Sequence, residues 1–233
     1  MEFKNQQPIS NRDFRKAGRG FSLVEMLVVV AVIGMLLALS APSILTLTST
    51  SLTTGAWQLN GYLNLARAEA IRDGRVVRVA LVRNWDNEQH SALRKLSTWK
   101  WDDEAEVFVQ SGGWEILPEG VVIEPEFPDY VRSADYAKDD ATTVQAQFPE
   151  RDETLSISGD TVEVTTLDFL PNGRVRESGE IPKRMIGFVM TLGYVDEQGN
   201  VVRTASRDDS GQPANWAQVN VDTLTGRIQV HRP

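Results

Sequence analysis

The sequence predicts an α+β fold in which one long N-terminal helix packs on a C-terminal antiparallel β-sheet. An apolar run extends from Met26 to Leu39, and apolar residues then recur at steps of three and four between Ser51 and Gly74. From Val76 the apolar period changes to two, which is typical of strands. One helix followed by a series of strands is an α+β architecture. A length of 233 residues suits one sizeable domain with an N-terminal appendage.

A single carboxylate stands at the start of the apolar run. Residues 26–39 are MLVVVAVIGMLLAL, without a charged or hydrogen-bonding side chain, and Glu25 directly precedes them. An ionised side chain is expensive in hydrocarbon, so Glu25 is a functional-site candidate that requires a partner. The residues that lead into the run are Arg19, Gly20, Phe21, Ser22, Leu23, Val24 and Glu25.

Charge divides the chain into a basic leader and an acidic remainder. Five basic and two acidic residues give residues 1–20 a net charge of +3, which leaves −11 for residues 21–233 out of the formal total of −8. This asymmetry fits the positive-inside rule, with a cytoplasmic leader and an exported body. An acidic body argues against general nucleic-acid binding. The absence of Cys excludes a disulfide framework and a thiolate metal site.

The stretch from Arg19 to Glu25 resembles the signature of type IV prepilins. The resemblance implies that a prepilin peptidase cleaves between Gly20 and Phe21 and that the new terminal Phe21 is N-methylated. It also implies that Glu25 pairs with the terminal amine of a neighbouring subunit during filament assembly. The predicted segments are therefore a cleaved leader at 1–20 and a transmembrane, assembly half of the helix at 21–47.

Two other interpretations of the apolar segment stay open. A secretory signal peptide would be cut after the run, near Ser40 or Ala41, but Pro42 would then follow the cut and the leader is long. A plain membrane anchor needs about 20 apolar residues, a length that Leu23 to Leu47 reaches, yet it leaves Glu25 unexplained. The prepilin interpretation accounts for the leader, the cleavage site, the carboxylate and the run together.

Residues 48–74 are predicted to form an amphipathic half of the same helix. The residues expected on its buried face are Leu59, Tyr62, Leu63, Ala66, Ala70 and Ile71. The charged residues on or near its wetter side are Arg67, Glu69, Arg72 and Asp73. Gly74 predicts the end of the helix.

If both halves join, one helix runs from Phe21 to Asp73, roughly 80 Å at 1.5 Å per residue. Pro42 would lie inside it and should kink or locally melt it, because proline lacks the N–H donor and clashes with the preceding turn. Type IV pilins commonly carry a proline at this distance from the cleavage site, so the resemblance extends through Pro42. The alternative is that Pro42 ends a membrane helix and a second helix begins near Thr53.

Residues 75–233 are predicted to form a periplasmic antiparallel β domain. The expected strands are Val76–Val82, Leu96–Trp101, Glu106–Val109 and Val121–Glu124, followed by the hairpins Thr161–Leu170 with Arg174–Glu177, Arg184–Val195 with Val201–Ala205, and Trp216–Asp222 with Arg227–His231. The hairpin links contain Asn-Gly or Gly, which suits tight turns. Residues of about 125–160 hold few periodic apolar positions and many acids, and they predict a long solvated loop with a short strand around Val144–Phe148.

A Gly-Arg pair recurs at Gly173-Arg174 and Gly226-Arg227. The stretch Asp168-Phe169-Leu170-Pro171-Asn172-Gly173-Arg174 and the final Gly-Arg strand resemble the minor pseudopilin H (GspH) and FimT group. In this superfamily a long helix on an antiparallel sheet is the expected fold. The resemblance covers about Arg19 to Gly74 for the superfamily and the C-terminal hairpins for the group.

Glu25 has a physical role within this interpretation. After cleavage Phe21 would carry a positive amine in a low-dielectric setting, where an unpaired charge costs several kcal/mol. The amine could be neutralised by Glu25 of its own chain or of a neighbour, and the second choice would fix the axial register of two subunits. The attraction is roughly 4 kcal/mol at about 4 Å and an effective dielectric of 20. The aliphatic residues expected to pack against other such helices are Leu27, Val28, Val30, Ala31, Ile33, Leu36 and Leu37.

Enzymatic chemistry finds little support in the sequence. His90 and His231 lie in no zinc spacing, and there is no nucleophile elbow, P-loop or dinucleotide fingerprint. No catalytic residue, cofactor or metal ligand is assigned. Calcium among the acidic clusters is an alternative left open, since loop carboxylates suit that ion. Those clusters are Asp86–Glu88, Asp102–Glu104, Asp139–Asp140 and Asp208–Asp209.

Aromatic and basic residues raise two further hypotheses. Trp85, Trp99, Trp101, Trp114 and Trp216 are candidates for a glycan- or peptide-binding face, although core packing is the commoner fate of tryptophan. Arg227, His231 and Arg232 invite comparison with DNA-binding FimT-like minor pilins. Three cations on a body of net charge −11 favour a solubilising role instead.

The sequence thus predicts a non-enzymatic minor pilin or pseudopilin that initiates or caps a type II secretion pseudopilus or a type IV pilus. Its expected partners are the prepilin peptidase, other pilins or pseudopilins, the inner-membrane assembly platform and membrane lipid. Its expected location is the inner membrane, with a single span, and then the filament. The alternative is an anchored exported domain that binds a ligand or DNA and never polymerises.

Overall fold

The computed structural model describes residues 22–85, 88–126, 128, 149, 152–157, 159–176, 185–207, 209 and 213–232, except the side chains of residues 37–49 and 89. The chain divides into two compact units, Met1–Ile44 and Leu45–Pro233. In the first unit the described element is the N-terminal part of helix α1. The second unit holds the rest of that helix and all the described strands.

Helix α1 is one continuous element of 51 residues, Leu23–Asp73. It continues through Pro42, so the alternative of two helices separated at that proline is wrong. The helix ends as predicted before Gly74, whose φ of +65° is the left-handed conformation that favours glycine. Among the described residues, no helix meets the length and hydropathy required to cross a membrane.

Eleven strands and one short 3₁₀ helix, Gln89–Ser91, follow α1 in the described residues. The strands are β1 (Val77–Trp85), β2 (Lys95–Asp102), β3 (Val107–Gln110), β4 (Glu115–Ile116), β5 (Val121–Ile123), β6 (Asp152–Ile157), β7 (Asp160–Phe169), β8 (Met185–Val195), β9 (Val201–Arg203), β10 (Trp216–Asp222) and β11 (Ile228–His231). All their pairings are antiparallel. The predicted fold class, a long helix on antiparallel β-structure, is confirmed.

The strands form two sheets where the sequence predicted one. The first sheet has the order β3-β2-β1-β7-β6, with β4 also paired to β2. The second has the order β11-β10-β8-β5, with β9 paired to the C-terminal residues 193–195 of β8. The alternation of apolar residues identifies individual strands, but it does not show which strands pair with one another or to which sheet each belongs.

The main core lies between the second half of α1 and the inner faces of both sheets. Six residues of α1 are completely buried there: Leu52, Ala56, Leu59, Leu63, Ala66 and Ala70. They meet strand residues such as Val79 and Leu81 of β1 and Phe188 and Met190 of β8. The approach is close at Gly55, where an added Cβ would lie 3.1 Å from Met190 Cε. Small residues on this helix face therefore let helix and sheet come together.

One predicted core residue is placed differently. Ile71 is 49 % exposed, and Tyr62 is partly buried at the margin of the core. Ile71 lies off the line of fully buried residues and instead covers the turn at Gly173, where an added Cβ would be 2.8 Å from Ile71 Cδ1.

A second apolar cluster occupies the outer face of the first sheet. Its buried members are Ala80, Val82, Trp85, Trp99, Val162 and Val164. Half-buried Phe108, Trp114, Leu155 and Ile157 pack against them. The central strands β2, β1 and β7 of the first sheet are therefore mostly buried on both faces.

The predicted loop at 125–160 contains a strand, so that part of the prediction is wrong. β6 pairs with β7 in a register that aligns Asp152 with Thr165 at one end and Ile157 with Asp160 at the other. Leu155 and Ile157 are the apolar residues on the buried face of β6. Glu153 lies on the same face, where it pairs with the buried Arg78, and its charge interrupts the apolar alternation that would predict a strand. The strand predicted around Val144–Phe148 lies outside the described residues. In the described part of the hairpin at Pro171–Gly173, one bridge, between Phe169 and Val175, stands where a second strand was predicted at Arg174–Glu177.

Candidate assembly site

Glu25 lies in the first turn of α1. Its side chain is exposed, and the helix begins there with the N–H of Met26 donating to the carbonyl oxygen of Ser22 at 3.1 Å. A carboxylate in a first turn is favoured by the positive end of the helix dipole. Gly20 and Phe21, the predicted cleavage site, and the side chain of Pro42 lie outside the described part of the chain.

The residues after Glu25 present an apolar surface on the helix. Between Leu23 and Leu36 the large hydrophobic side chains are 46–82 % exposed. Contiguous exposed apolar surface of this extent marks a surface that contacts protein or membrane.

The two Gly-Arg turns meet beside α1. Arg67 Nε donates to the carbonyl oxygen of Gly173 at 3.1 Å, and Arg67 Nη2 donates to that of Thr225 at 2.9 Å. The N–H of Val175 donates to the carbonyl oxygen of Thr223 at 2.9 Å and joins the turns directly. One turn belongs to the first sheet and the other to the second, so Arg67 ties both sheets to the helix.

Glycine is required where these turns touch. Gly173 and Gly226 have φ of +78° and +65°. A Cβ on Gly226 would lie 1.8 Å from the carbonyl oxygen of Gly173 and 2.6 Å from Arg67 Nε. The glycines of the repeated Gly-Arg pair, noted in the sequence for its resemblance, are thus a packing requirement of the junction.

Asp168, the first residue of the Asp-Phe-Leu-Pro-Asn-Gly-Arg stretch, forms a buried ion pair. Arg78 Nε and Nη2 lie 2.7 and 3.0 Å from Asp168 Oδ1 and Oδ2, and both residues are at most 3 % exposed. Arg78 also pairs with Glu153 and lies 3.6 Å above the Phe108 ring. The guanidinium therefore joins β1, β7, β6 and β3, and sequence analysis did not identify it.

The end of α1 is held to β2 by charge. Lys100 Nζ lies 3.3 Å from Glu69 and 2.9 Å from Asp73. Hydrogen bonds from Arg72 and Lys100 hold the pKa of Asp73 well below its usual range. Hydrogen bonds to Asp73 and Glu69 raise the pKa of Lys100. Charges predicted on the wetter side of the helix thus anchor it to the sheet.

Most of the predicted aromatic face is core. Trp85, Trp99 and Trp216 are at least 91 % buried, and Trp114 packs on Trp85 with ring centroids 5.5 Å apart. Lys95 Nζ lies 4.1 Å from the Trp85 ring centroid and pairs with Glu88. Trp57 of α1 is 60 % exposed, although the sequence analysis did not select it. Trp57 does not fall at the three- and four-residue steps of the buried helix residues, and this spacing predicts its exposure.

The remaining candidates are dispersed. His90 lies exposed in the 3₁₀ helix and His231 ends β11. Arg232 reaches Thr53 of α1. Asp102 accepts hydrogen bonds from the N–H groups of Glu104 and Ala105, which lower its pKa. In the described part of the chain, His, Cys, Asp and Glu side chains form no group of three or more suited to a metal ion. A calcium site therefore stays a prediction, and a rise in melting temperature on addition of calcium would support it.

The fold and the N-terminal motif together define a pilin-like subunit. A family model described as type II transport protein GspH matches residues 56–219, well over half of the chain. A second, described as a prokaryotic N-terminal methylation motif, matches residues 15–41, which include Gly20, Phe21 and Glu25. The chain therefore belongs to the GspH family.

Two solved structures of the minor pseudopilin EpsH from the type II secretion system of Vibrio cholerae are similar to the chain. One has 12 % sequence identity and a TM-score of 0.39, and the match covers 78 % of this chain and 98 % of that chain. The other has 14 % identity and a TM-score of 0.40, covering 78 % and 94 %. No curated protein matches the chain.

The predicted class is confirmed: the chain is a GspH-like member of the type II pseudopilin superfamily. The comparisons give no support to the alternative of an anchored binding domain that never polymerises.

Proposed function

We propose that this pseudopilin is cleaved between Gly20 and Phe21, N-methylated at Phe21, and added to the pseudopilus through Glu25. The observation that carries the proposal is the combination of an exposed apolar helix with one charged residue between Ser22 and Leu39, namely Glu25. A filament of such helices buries the apolar surface, and a terminal amine of a neighbour neutralises the carboxylate.

The energetics favour pairing between subunits. An amine and a carboxylate that are both removed from water each cost several kcal/mol unless they are paired. Their attraction of roughly 4 kcal/mol at an effective dielectric of 20 rewards the axial register that brings them together. A subunit without the carboxylate would leave the neighbour's amine unpaired. A subunit that keeps its leader would offer no terminal amine to the neighbour's Glu25, so the site selects processed subunits that carry the carboxylate.

The partners follow from this pathway. A prepilin peptidase removes the leader, other pseudopilins receive the processed helix, and an inner-membrane platform adds the subunit. The chain acts there as a structural subunit, at initiation or at the tip, and not as an enzyme. It is held in the inner membrane by the apolar half of α1, with the basic leader cytoplasmic and the body of residues 75–233 periplasmic.

Glu25→Gln tests the pairing step, because it removes the charge and keeps the shape. The variant should be inserted and processed normally, while its co-purification with other pseudopilins from membranes falls by about tenfold or more. Glu197→Gln, in the exposed turn between β8 and β9, is the matched control and should assemble normally. Normal co-purification of Glu25→Gln would overturn the pairing role.

Gly20→Leu tests the processing step separately. The bulky side chain at the cleavage site should leave the precursor with its leader attached, visible as a larger mass in membranes. Gly34→Leu, at a glycine whose added Cβ meets nothing within 4 Å, is a control that keeps cleavage intact. Efficient cleavage of Gly20→Leu would contradict the assigned site.

A further inference from the structure

The outer edge of β3 has the features of a site for strand addition. β3 (Val107–Gln110) pairs with β2 on one side, and among the described residues no strand pairs with its other side. An unpaired strand edge offers a row of main-chain donors and acceptors to another chain.

Hydrogen bonding fixes which main-chain groups face outward. The N–H of Ser111 donates to the carbonyl oxygen of Thr98 at 2.9 Å, in the same register that aligns Val109 with Lys100. Because hydrogen-bonded and non-hydrogen-bonded pairs alternate in an antiparallel ladder, Val107 and Val109 direct their peptide groups to β2. Phe108 and Gln110 direct theirs to the open side.

The other side of β2 agrees with this assignment. The N–H of Trp101 donates to the carbonyl oxygen of Val76 at 3.0 Å, so odd-numbered residues of β2 face β1 and even-numbered ones face β3. The peptide groups of Phe108 and Gln110 are therefore placed to accept an added strand.

The side chains of β3 lack the usual protection of an edge. Natural edge strands are commonly blunted by a charged residue or a proline within the strand. Val-Phe-Val-Gln contains neither, and Val107 and Val109 are each 49 % exposed. Exposed β-branched residues on an open edge form the side-chain contacts that an added strand uses.

Charge at one end of β3 indicates the kind of segment that fits. The turn that precedes β3 carries the exposed acids Asp103, Glu104 and Glu106. Arg75 Nε lies 3.5 Å from Asp103, and both side chains are more than half exposed, so this pair neutralises the turn weakly. A second copy would bring another acidic body of net charge −11, whereas a basic segment would be attracted.

We propose that β3 binds an extended segment of a partner protein by strand addition, and that this segment carries β-branched residues and a Lys or Arg at the end next to the turn at 103–106. The site lies in the body of the protein and does not depend on Gly20, Phe21 or Glu25. Its test is therefore independent of the proposed processing and assembly.

Binding of a labelled peptide to the full-length protein in detergent micelles tests the proposal. The probe is Val-Thr-Val-Thr-Val-Thr-Lys-Arg, whose C-terminal basic residues lie next to the turn at 103–106 when it adds antiparallel to β3. Its binding, measured by fluorescence polarisation, should saturate and should weaken as salt increases. Replacing its central Val by Pro should abolish binding, because proline removes a ladder donor. Replacing Lys-Arg by Glu-Glu should weaken binding by about tenfold or more.

Variants of the protein locate the site. Glu104→Gln with Glu106→Gln should reduce both the affinity and its salt dependence. Val107→Thr with Val109→Thr should weaken binding severalfold without adding charge. Leu224→Thr is the matched control, since Leu224 is an exposed apolar residue of the turn between β10 and β11, and it should bind like the wild type.

Three results would overturn the proposal. Equal binding of the proline peptide would exclude strand addition, and equal binding of the Glu-Glu peptide would exclude the basic partner. Self-association of the protein that the Val107 and Val109 variants abolish, without peptide binding, would show that a second copy occupies the edge.

Discussion

Arg67 Nε lies 3.1 Å from the carbonyl oxygen of Gly173, and the same guanidinium reaches Thr225 in the other sheet. One helical side chain thus binds the turns of two hairpins that are more than 50 residues apart in sequence. The contact adds a polar connection between α1 and both sheets to the apolar core that they share.

Arg67→Met should destabilise the body by about 2–4 kcal/mol, because it removes hydrogen bonds from a charged donor to two main-chain carbonyls and keeps the aliphatic stem. Chemical unfolding of the purified protein in detergent, followed by tryptophan fluorescence, measures this. Arg174→Met, an exposed arginine at the same junction, should change the free energy of unfolding by less than about 0.5 kcal/mol. Equal effects of the two variants would refute the role of Arg67.

Gly226→Ala should destabilise the body by more than about 1 kcal/mol. The new Cβ would lie 1.8 Å from the carbonyl oxygen of Gly173, at a φ of +65° that alanine adopts poorly. Gly61→Ala is the opposite case, since its Cβ on α1 meets nothing within 4 Å. That variant should stabilise the helix by about 0.5–1 kcal/mol, and a shift of both melting temperatures in the same direction would contradict the account.

Asp168→Asn should cost about 3–5 kcal/mol, because it leaves the buried guanidinium of Arg78 without its bidentate partner. Asp103→Asn removes the partner of an exposed pair with Arg75 and should cost less than about 1 kcal/mol. Melting of the two variants at neutral pH compares them directly. A small loss for Asp168→Asn would show that Glu153 alone neutralises Arg78.

Tyr62 should make the body less stable at high pH. Burial raises the pKa of Tyr62 to about 12, above the ordinary value of 10.0. The folded protein therefore favours the neutral phenol, and its contribution is complete below pH 10 and is lost as the pH rises from 10 towards 12. Tyr62→Phe should flatten this part of the stability profile, and Tyr194→Phe, an exposed tyrosine, is the reference. An unchanged slope in Tyr62→Phe would refute the assignment.

Periodicity predicted the parts of the fold in which one face is apolar. The buried helix positions Leu59, Leu63, Ala66 and Ala70 follow helical spacing, and the hairpin of β10 and β11 follows from alternation and its Gly-containing turn. Such patterns can be recognised in the sequence because they involve residues that are close together in the chain.

The features that sequence analysis missed depend on residues distant in the chain. Glu153 interrupts the apolar alternation of β6 because it faces Arg78, which is 75 residues away. Asp168 was noted as part of a resemblance, but its buried partner was not. Arg67 was placed near the wetter side of the helix, since nothing local shows that two turns from the C-terminal half converge on it.

The candidate site was predicted mainly from the N-terminal motif. The order of Gly20, Phe21, Glu25 and the apolar run is local in sequence and therefore recognisable. The unpaired edge of β3 could not be predicted from the sequence, because it depends on which strands pair in the folded chain.

Mass spectrometry of the protein isolated from its native membrane tests the central claim most directly. The account predicts a mature chain that begins at Phe21 with one added methyl group on its amine. A chain that begins at Met1, or at Pro42 after removal of a conventional signal peptide, would contradict it.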